Sequence, residues 1–173
     1  FKTNLVDGII MGVNHLEDEQ YRKINKPIIM LDYRMENIPV VVSDHVNGGK
    51  LAAQMFIGSG CKLVLHLLGE SEKQVLSYHC HTVMKEELNK AGIETVEQYV
   101  EWNEFDFLAY LELARELLNS NPQIDGFMGA DMPAIAFLQA ARELGRQIPE
   151  EFAVVAYDGT YVVDLAMERI TTI

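Results

Sequence analysis

The sequence predicts a doubly wound α/β fold built on parallel sheets, and three observations carry that expectation. Apolar runs of strand length alternate with segments of helical period along the whole chain, the pattern of βαβ units. Most of these runs are apolar throughout, as strands covered on both faces are. The helical segments end on glycines, at Gly58 and Gly60, at Gly92 and at Gly145, where a left-handed residue closes a helix.

Taken in order, residues 6–11 predict a short strand and residues 16–23 a short surface helix. Residues 27–31 predict a second strand ending at Asp32, and residues 39–42 a third followed by Ser43 and Asp44. Leu51, Ala52, Met55 and Phe56 recur at helical spacing within residues 47–59. Residues 63–68 then read as a strand, 77–91 as a helix, and 94–100 as a weaker strand. Leu108, Leu111, Leu113, Leu117 and Leu118 give residues 106–118 a strong helical period. Residues 125–128 predict a strand and 131–144 a helix. Pro149 sets a turn, and residues 152–157 form a buried strand that delivers Asp158 to its tip. A further strand begins at Ile170.

Composition narrows the function. With 49% hydrophobic and 23% charged residues, the chain of 173 residues is globular, of a size for one domain or two small lobes. No apolar run approaches the roughly 18 residues of a membrane helix. Twenty-six acidic against 14 basic residues leave a formal charge of −12, which repels phosphate backbones, so these residues are not expected to bind nucleic acid. Cys61 and Cys80 are too few for a disulfide framework and predict reduced thiols in a cytoplasmic protein. No signal-peptide pattern opens the chain, and both ends are expected to continue into something larger.

No catalytic constellation is present, so no enzyme and no cofactor is expected. Gly58-Ser59-Gly60 ends a helix, whereas a nucleophile elbow needs a strand-to-helix turn. There is no glycine-rich phosphate loop. His79-Cys80-His81 puts its two imidazoles at i and i+2, which do not face each other on a helix, so no metal is expected. His66 within an apolar strand predicts a hydrogen-bonded core histidine. What remains is a set of polar groups at strand C-termini: Asp32, Ser43 with Asp44, Asp131 and Asp158. In open α/β sheets that end lines the ligand crevice, and ionised carboxylates accept charge-assisted bonds from hydroxyls. Tyr33, Phe105 and Tyr157 add aromatic faces suited to a carbohydrate. Each residue also has a local reading: Asp158 as a turn opener before Gly159, Asp131 as a helix cap, Phe105 as a hydrophobic staple.

Read together, these segments resemble the effector-binding core of the lactose-repressor (LacI/GalR) family of bacterial transcription regulators. The carriers are Val6-Asp7-Gly8-Ile9-Ile10, Pro27 to Asp32, Val42-Ser43-Asp44 with Gly48-Gly49 and Ala52-Ala53, and Gly60 before a strand. Glu87-Leu88 with Gly92-Ile93, Ala130 to Ala134, and the run of residues 140–173 complete them. The resemblance implies two flavodoxin-like lobes of periplasmic-binding-protein type, with the first lobe incomplete in this chain. Residues 1–43 would be part of the N-terminal lobe, 44–170 the C-terminal lobe, and 171–173 the strand that crosses back. It implies a homodimer that senses a sugar or related small metabolite and binds operator DNA through an N-terminal helix-turn-helix outside these residues. A secreted sugar-binding protein of a transporter shares the fold and is the alternative.

By position, the resemblance makes Asp158 an acceptor for effector hydroxyls, Asp32 a second acceptor in the first lobe, Val42 a cleft-lining residue and Phe105 a ring against the sugar face. Asp131 joins them as a further cleft carboxylate. Two departures stand out: the family usually carries Arg where this chain has Cys80, and Asn where it has Ala130. No thiol replaces a guanidinium fork, so either the effector is unusual or His79 or His81 supplies the donor. In the second case effector affinity would vary between about pH 5.5 and 8.

Overall fold

Two parallel sheets divide the chain, and the segment 42–44 joins them. The computed structural model describes residues 6–12, 18–69, 76–100, 106–166 and 168–173. In the first sheet the strands lie in the order β1 (Ile9–Met11), β2 (Ile28–Leu31), β3 (Val40–Val41), with Ile9 beside Ile28 and Met30 beside Val40. Helix α1 (Asp18–Arg22) connects β1 to β2 and buries Tyr21 against Ile9, Ile28, Met30 and Met35. The other face leaves Ile10, Ile29, Leu31 and Val41 exposed. The expectation of strands covered on both faces therefore fails here in this chain. It holds in the second sheet.

That sheet has the order β5-β4-β6-β7-β8: β5 (Glu94–Val100), β4 (Leu63–Gly69), β6 (Gly126–Ala130), β7 (Ala153–Tyr157) and β8 (Thr171–Thr172). All pairs are parallel, and Leu63 to Leu68 of β4 are buried without a break. Helices α2 (His45–Ser59) and α3 (Tyr78–Lys90) cover one face through Ala52, Phe56, Met84 and Leu88. Helices α4 (Phe107–Ser120) and α5 (Asp131–Glu143) cover the other through Leu111, Ala114, Leu118 and Phe137. From β4 the chain runs through α3 to β5 on one side, then back past β4 through α4 to β6 on the other. Such a switch of direction opens a crevice at the strand C-termini.

Local chemistry sets the boundaries. The Asp44 carboxylate caps α2 by accepting from the Asn47 N–H at 3.0 Å, and Gly60 (φ 74°) closes it in the left-handed conformation. The Asp106 carboxylate likewise accepts from Leu108 N–H at the start of α4. Asp131 does not cap α5: it is the first helical residue, and its carboxylate points elsewhere. The start of α2 lies two residues earlier than the sequence predicts, because Asp44 rather than Asn47 ends the extended segment. A short 3₁₀ turn, Val163–Leu165, was not anticipated.

Candidate functional site

Asp32 sits just past the tip of β2, with its backbone in the left-handed region (φ 51°). Aspartate tolerates that region better than most residues, but still at a cost, so such positions cluster at functional sites. Its own N–H donates to Val41 O at 2.9 Å, and its C=O accepts from Leu76 N–H at 3.2 Å, just before α3. Its Oδ1 accepts from Ser43 N–H at 3.0 Å and from His45 Nε2 at 2.8 Å. One residue of the first sheet thereby grips three points that lead into or belong to the second. Desolvation would raise its pKa, but the Ser43 N–H and His45 outweigh it and hold the carboxyl below the usual range.

Asp158 occupies the matching place after β7, also left-handed (φ 93°), with its N–H donating to Ile173 O at 3.1 Å. Desolvation, then the negative charges of Asp131 and Asp32, push its pKa up, with His45 opposing. The charge of Asp32 in the first sheet is thus felt at Asp158 in the second. Asp131 is buried and committed: its Oδ1 accepts from Gly159 N–H at 3.2 Å, and its Oδ2 from Thr160 N–H at 2.6 Å and Thr160 Oγ1 at 2.5 Å. In the structure it holds the loop that presents Asp158 and does not cap α5.

His45 and the Tyr157 hydroxyl were missed by sequence reasoning. His45, the first residue of α2, is buried. Its Nδ1 is hydrogen-bonded to Tyr157 Oη while Nε2 reaches Asp32. The signal available was the cap itself: a helix begun by Asp44 turns its first residue back over the strand tips. Gly48 makes room one turn on, where a Cβ would lie 3.2 Å from Ile173 Cγ2 and 4.0 Å from Tyr157 Cε2.

The remaining candidates divide. Val42 is half-exposed at the join, whereas Cys80 is fully buried under α2, its thiol pushed up to about 12 by burial and then by Asp158. A buried neutral thiol offers an effector no replacement for a guanidinium fork. His79 is exposed on α3. His81 is held near a pKa of about 4 by burial, so it stays neutral throughout pH 5.5–8 and does not supply a donor that titrates there. His66 is fully buried, yet neither ring nitrogen finds a hydrogen-bond partner among the described residues, contrary to the expected hydrogen-bonded core histidine. Its ring lies 6.0 Å from that of His81, which lies 6.4 Å from Tyr157. Among the described residues no group of three or more His, Cys, Asp or Glu is arranged to hold a metal ion. Phe105 lies outside the described residues.

Two parallel sheets joined at residues 42–44, each with an aspartate just past a strand tip, place two carboxylates at strand C-termini, the end at which open α/β sheets bind ligands. Comparison with known proteins agrees. The model of the periplasmic binding protein-like domain matches residues 53–173. The ribose operon repressor of Halalkalibacterium halodurans is 30% identical over 99% of this chain and 51% of its own length. The sucrose operon repressor of Streptococcus mutans is 30% identical over 99% of the chain and 52% of its own. Among solved structures, a transcriptional regulator CelR–cellobiose complex superposes with a TM-score of 0.77 at 26% identity, over 97% of this chain and 54% of that one. The chain spans about half the length of the curated relatives it matches.

Proposed function

The chain belongs to the periplasmic-binding-protein-like domain family, in the form found in LacI-family transcriptional regulators, and from that premise we propose that it is the effector-binding part of a sugar-responsive regulator. The observation that carries this reading is the placement of Asp32 and Asp158. They stand at strand tips of different sheets, both with left-handed backbone, and the charge of Asp32 contributes to raising the pKa of Asp158. A polyhydroxylated ligand lying between them would donate to both and hold the two sheets in one arrangement. A ligand shifts such an equilibrium only by its difference in affinity for the two arrangements, with coupling of about 1–3 kcal/mol.

In this reading residues 1–43 contribute part of the first lobe, 44–170 the second, and 171–173 the strand returning toward the first. The regulator would act in the cytoplasm as a homodimer and reach its operator through a DNA-binding segment outside these residues, because a surface of charge −12 repels DNA. Among the described residues no helix is long and apolar enough to cross a membrane. The secreted transporter protein is the weaker reading, because the relatives matched over nearly the whole chain are operon repressors.

The test is calorimetry against a panel of neutral sugars that includes ribose, sucrose and cellobiose. Asp158→Asn should lower affinity for whichever sugar binds by about 10- to 100-fold, as expected when a charged acceptor is lost (about 1.5–3 kcal/mol), with the melting temperature little changed. Unaltered affinity in that variant would refute the site. No binding of any sugar would refute the effector class.

A further inference from the structure

The bond network around Asp32 does more than present a carboxylate to a ligand. His45 belongs to the second half of the chain, yet it bonds to Asp32 of the first through Nε2 and to Tyr157 at the end of β7 through Nδ1. The histidine is 6% exposed and Asp32 41%, so the bridge has one dry end and one end open to the cleft. We propose that His45 is the residue that couples the two halves of this module, tying Asp32 to Tyr157, and that protonating His45 tightens the tie.

The donor arithmetic supports this. With a neutral ring, one tautomer satisfies every partner: Nε2–H donates to Asp32 Oδ1 while Nδ1 accepts from Tyr157 O–H. When the ring gains a proton both nitrogens donate and Tyr157 Oη turns to accept; the contact with Asp32, charge-assisted in either state because the carboxylate is ionised, gains a second charge and becomes an ion pair. No bond is lost in either state, but the tie differs in strength. Because the Asp32 pKa is lowered, the carboxylate stays ionised below its usual range.

The groups facing His45 leave that picture intact. From the first sheet comes Asp32; after β7 come Tyr157 and Asp158; Asp44 precedes it on its own element. From α3, Cys80 and His81 approach Tyr157, and both are neutral near pH 7, with values of about 12 and about 4. From α5, Asp131 acts through Asp158. None of these is a cation that would compete with a protonated His45. A ligand hydroxyl arriving at Asp32 meets a carboxylate already bonded to His45 and Ser43 on Oδ1, so occupancy of the cleft is felt at Tyr157 through a single side chain. The proposal does not depend on which effector binds.

The experiment is a double-mutant cycle in purified protein with Asp32→Asn, His45→Gln and the pair, each read by denaturant unfolding at pH 5.5 and 8.5. Both substitutions keep shape and remove charge. The expected non-additivity in the unfolding constant is about tenfold at pH 8.5, where an uncharged donor meets an ionised carboxylate, and at least about threefold larger at pH 5.5. Equal coupling at the two pH values, or none at either, overturns the proposal. Should His45→Gln fail to fold, Tyr157→Phe, which deletes one hydroxyl, takes its place in the cycle. The tie between halves is read separately by spin-label distances between Lys23→Cys and Glu112→Cys, since native Cys61 and Cys80 are buried. The distribution should narrow from pH 8.5 to 5.5 in otherwise unaltered protein and not in the His45→Gln background. A width that ignores pH in both would also overturn it.

Discussion

The two faces of the five-stranded sheet are packed by different rules. Toward α4 and α5 the interior is dominated by apolar side chains: Phe127 and Phe137 stack with centroids 3.8 Å apart, among Leu65, Leu111, Leu118 and Phe152. Toward α2 and α3, apolar Phe56, Met84 and Leu88 share the space with Cys80, His66 and two glycines at the α2–α3 contact. The first face buys stability. The second, which ends at His45 and Tyr157, gives up some packing for polar groups and close backbone approach near the cleft. Changes on the first face should therefore lower stability at every pH, and changes on the second should act through geometry and titration.

The largest effect is expected on the apolar face. Phe137 is fully buried, and Phe137→Ala removes both a ring and its stack, so it should cost about 3–5 kcal/mol in denaturant unfolding. A loss of 1 kcal/mol or less would mean that this face is not the stabilising one.

On the other face, Gly49→Ala sets two magnitudes against each other. Alanine in a helix interior gains about 1 kcal/mol over glycine. Here the added Cβ would lie 2.5 Å from Cys80 O and 3.1 Å from Met84 N, backbone atoms that cannot step aside without moving α3. Overpacking of that kind costs about 1–3 kcal/mol, so the net change should be destabilising. A variant more stable than the parent would show that α2 and α3 do not approach this closely.

How much of this was legible in the sequence follows the same division. The order of strands and helices from β4 to β8 was readable because apolar runs and helical periods are properties of neighbouring residues. Asp32 and Asp158 could be placed at strand tips for the same reason. The partners of Asp131 could not be, since a carboxylate opening a helix looks like a cap whether it bonds to its own turn or to Thr160, 29 residues on. His45 was hidden for a related reason: its two partners lie 13 residues before it and 112 after it, and no local pattern encodes such a meeting. The burial of Cys80 depends on how closely Gly48 and Gly49 let α2 approach α3, which only the packed structure reveals.

The smallest effect at neutral pH sharpens the comparison most, because it grows as the pH falls. His66 is fully buried, and burial, reinforced by the nearby His81, pulls its pKa down to about 3. An unfolded histidine titrates near 6.5, so between about pH 6.5 and 3 the unfolded chain binds more protons than the folded one. Stability must then rise with pH through that window and level off above it, with a slope of up to about 1.4 kcal/mol per pH unit from this one ring. His66→Leu fills the site without a titrating group and removes two ring nitrogens that lack partners among the described residues. Above pH 7 the variant should match or exceed the parent, since an unpartnered buried polar group costs about 1–3 kcal/mol and leucine is of similar size. At pH 5.5 its advantage should have grown by about 1.4 kcal/mol, and it should go on widening toward pH 4. Parallel curves for the two proteins from pH 4 to 8 would mean that His66 is charged or hydrogen-bonded in the folded state. The α2–α3 face would then be no more sensitive to acid than the apolar face opposite.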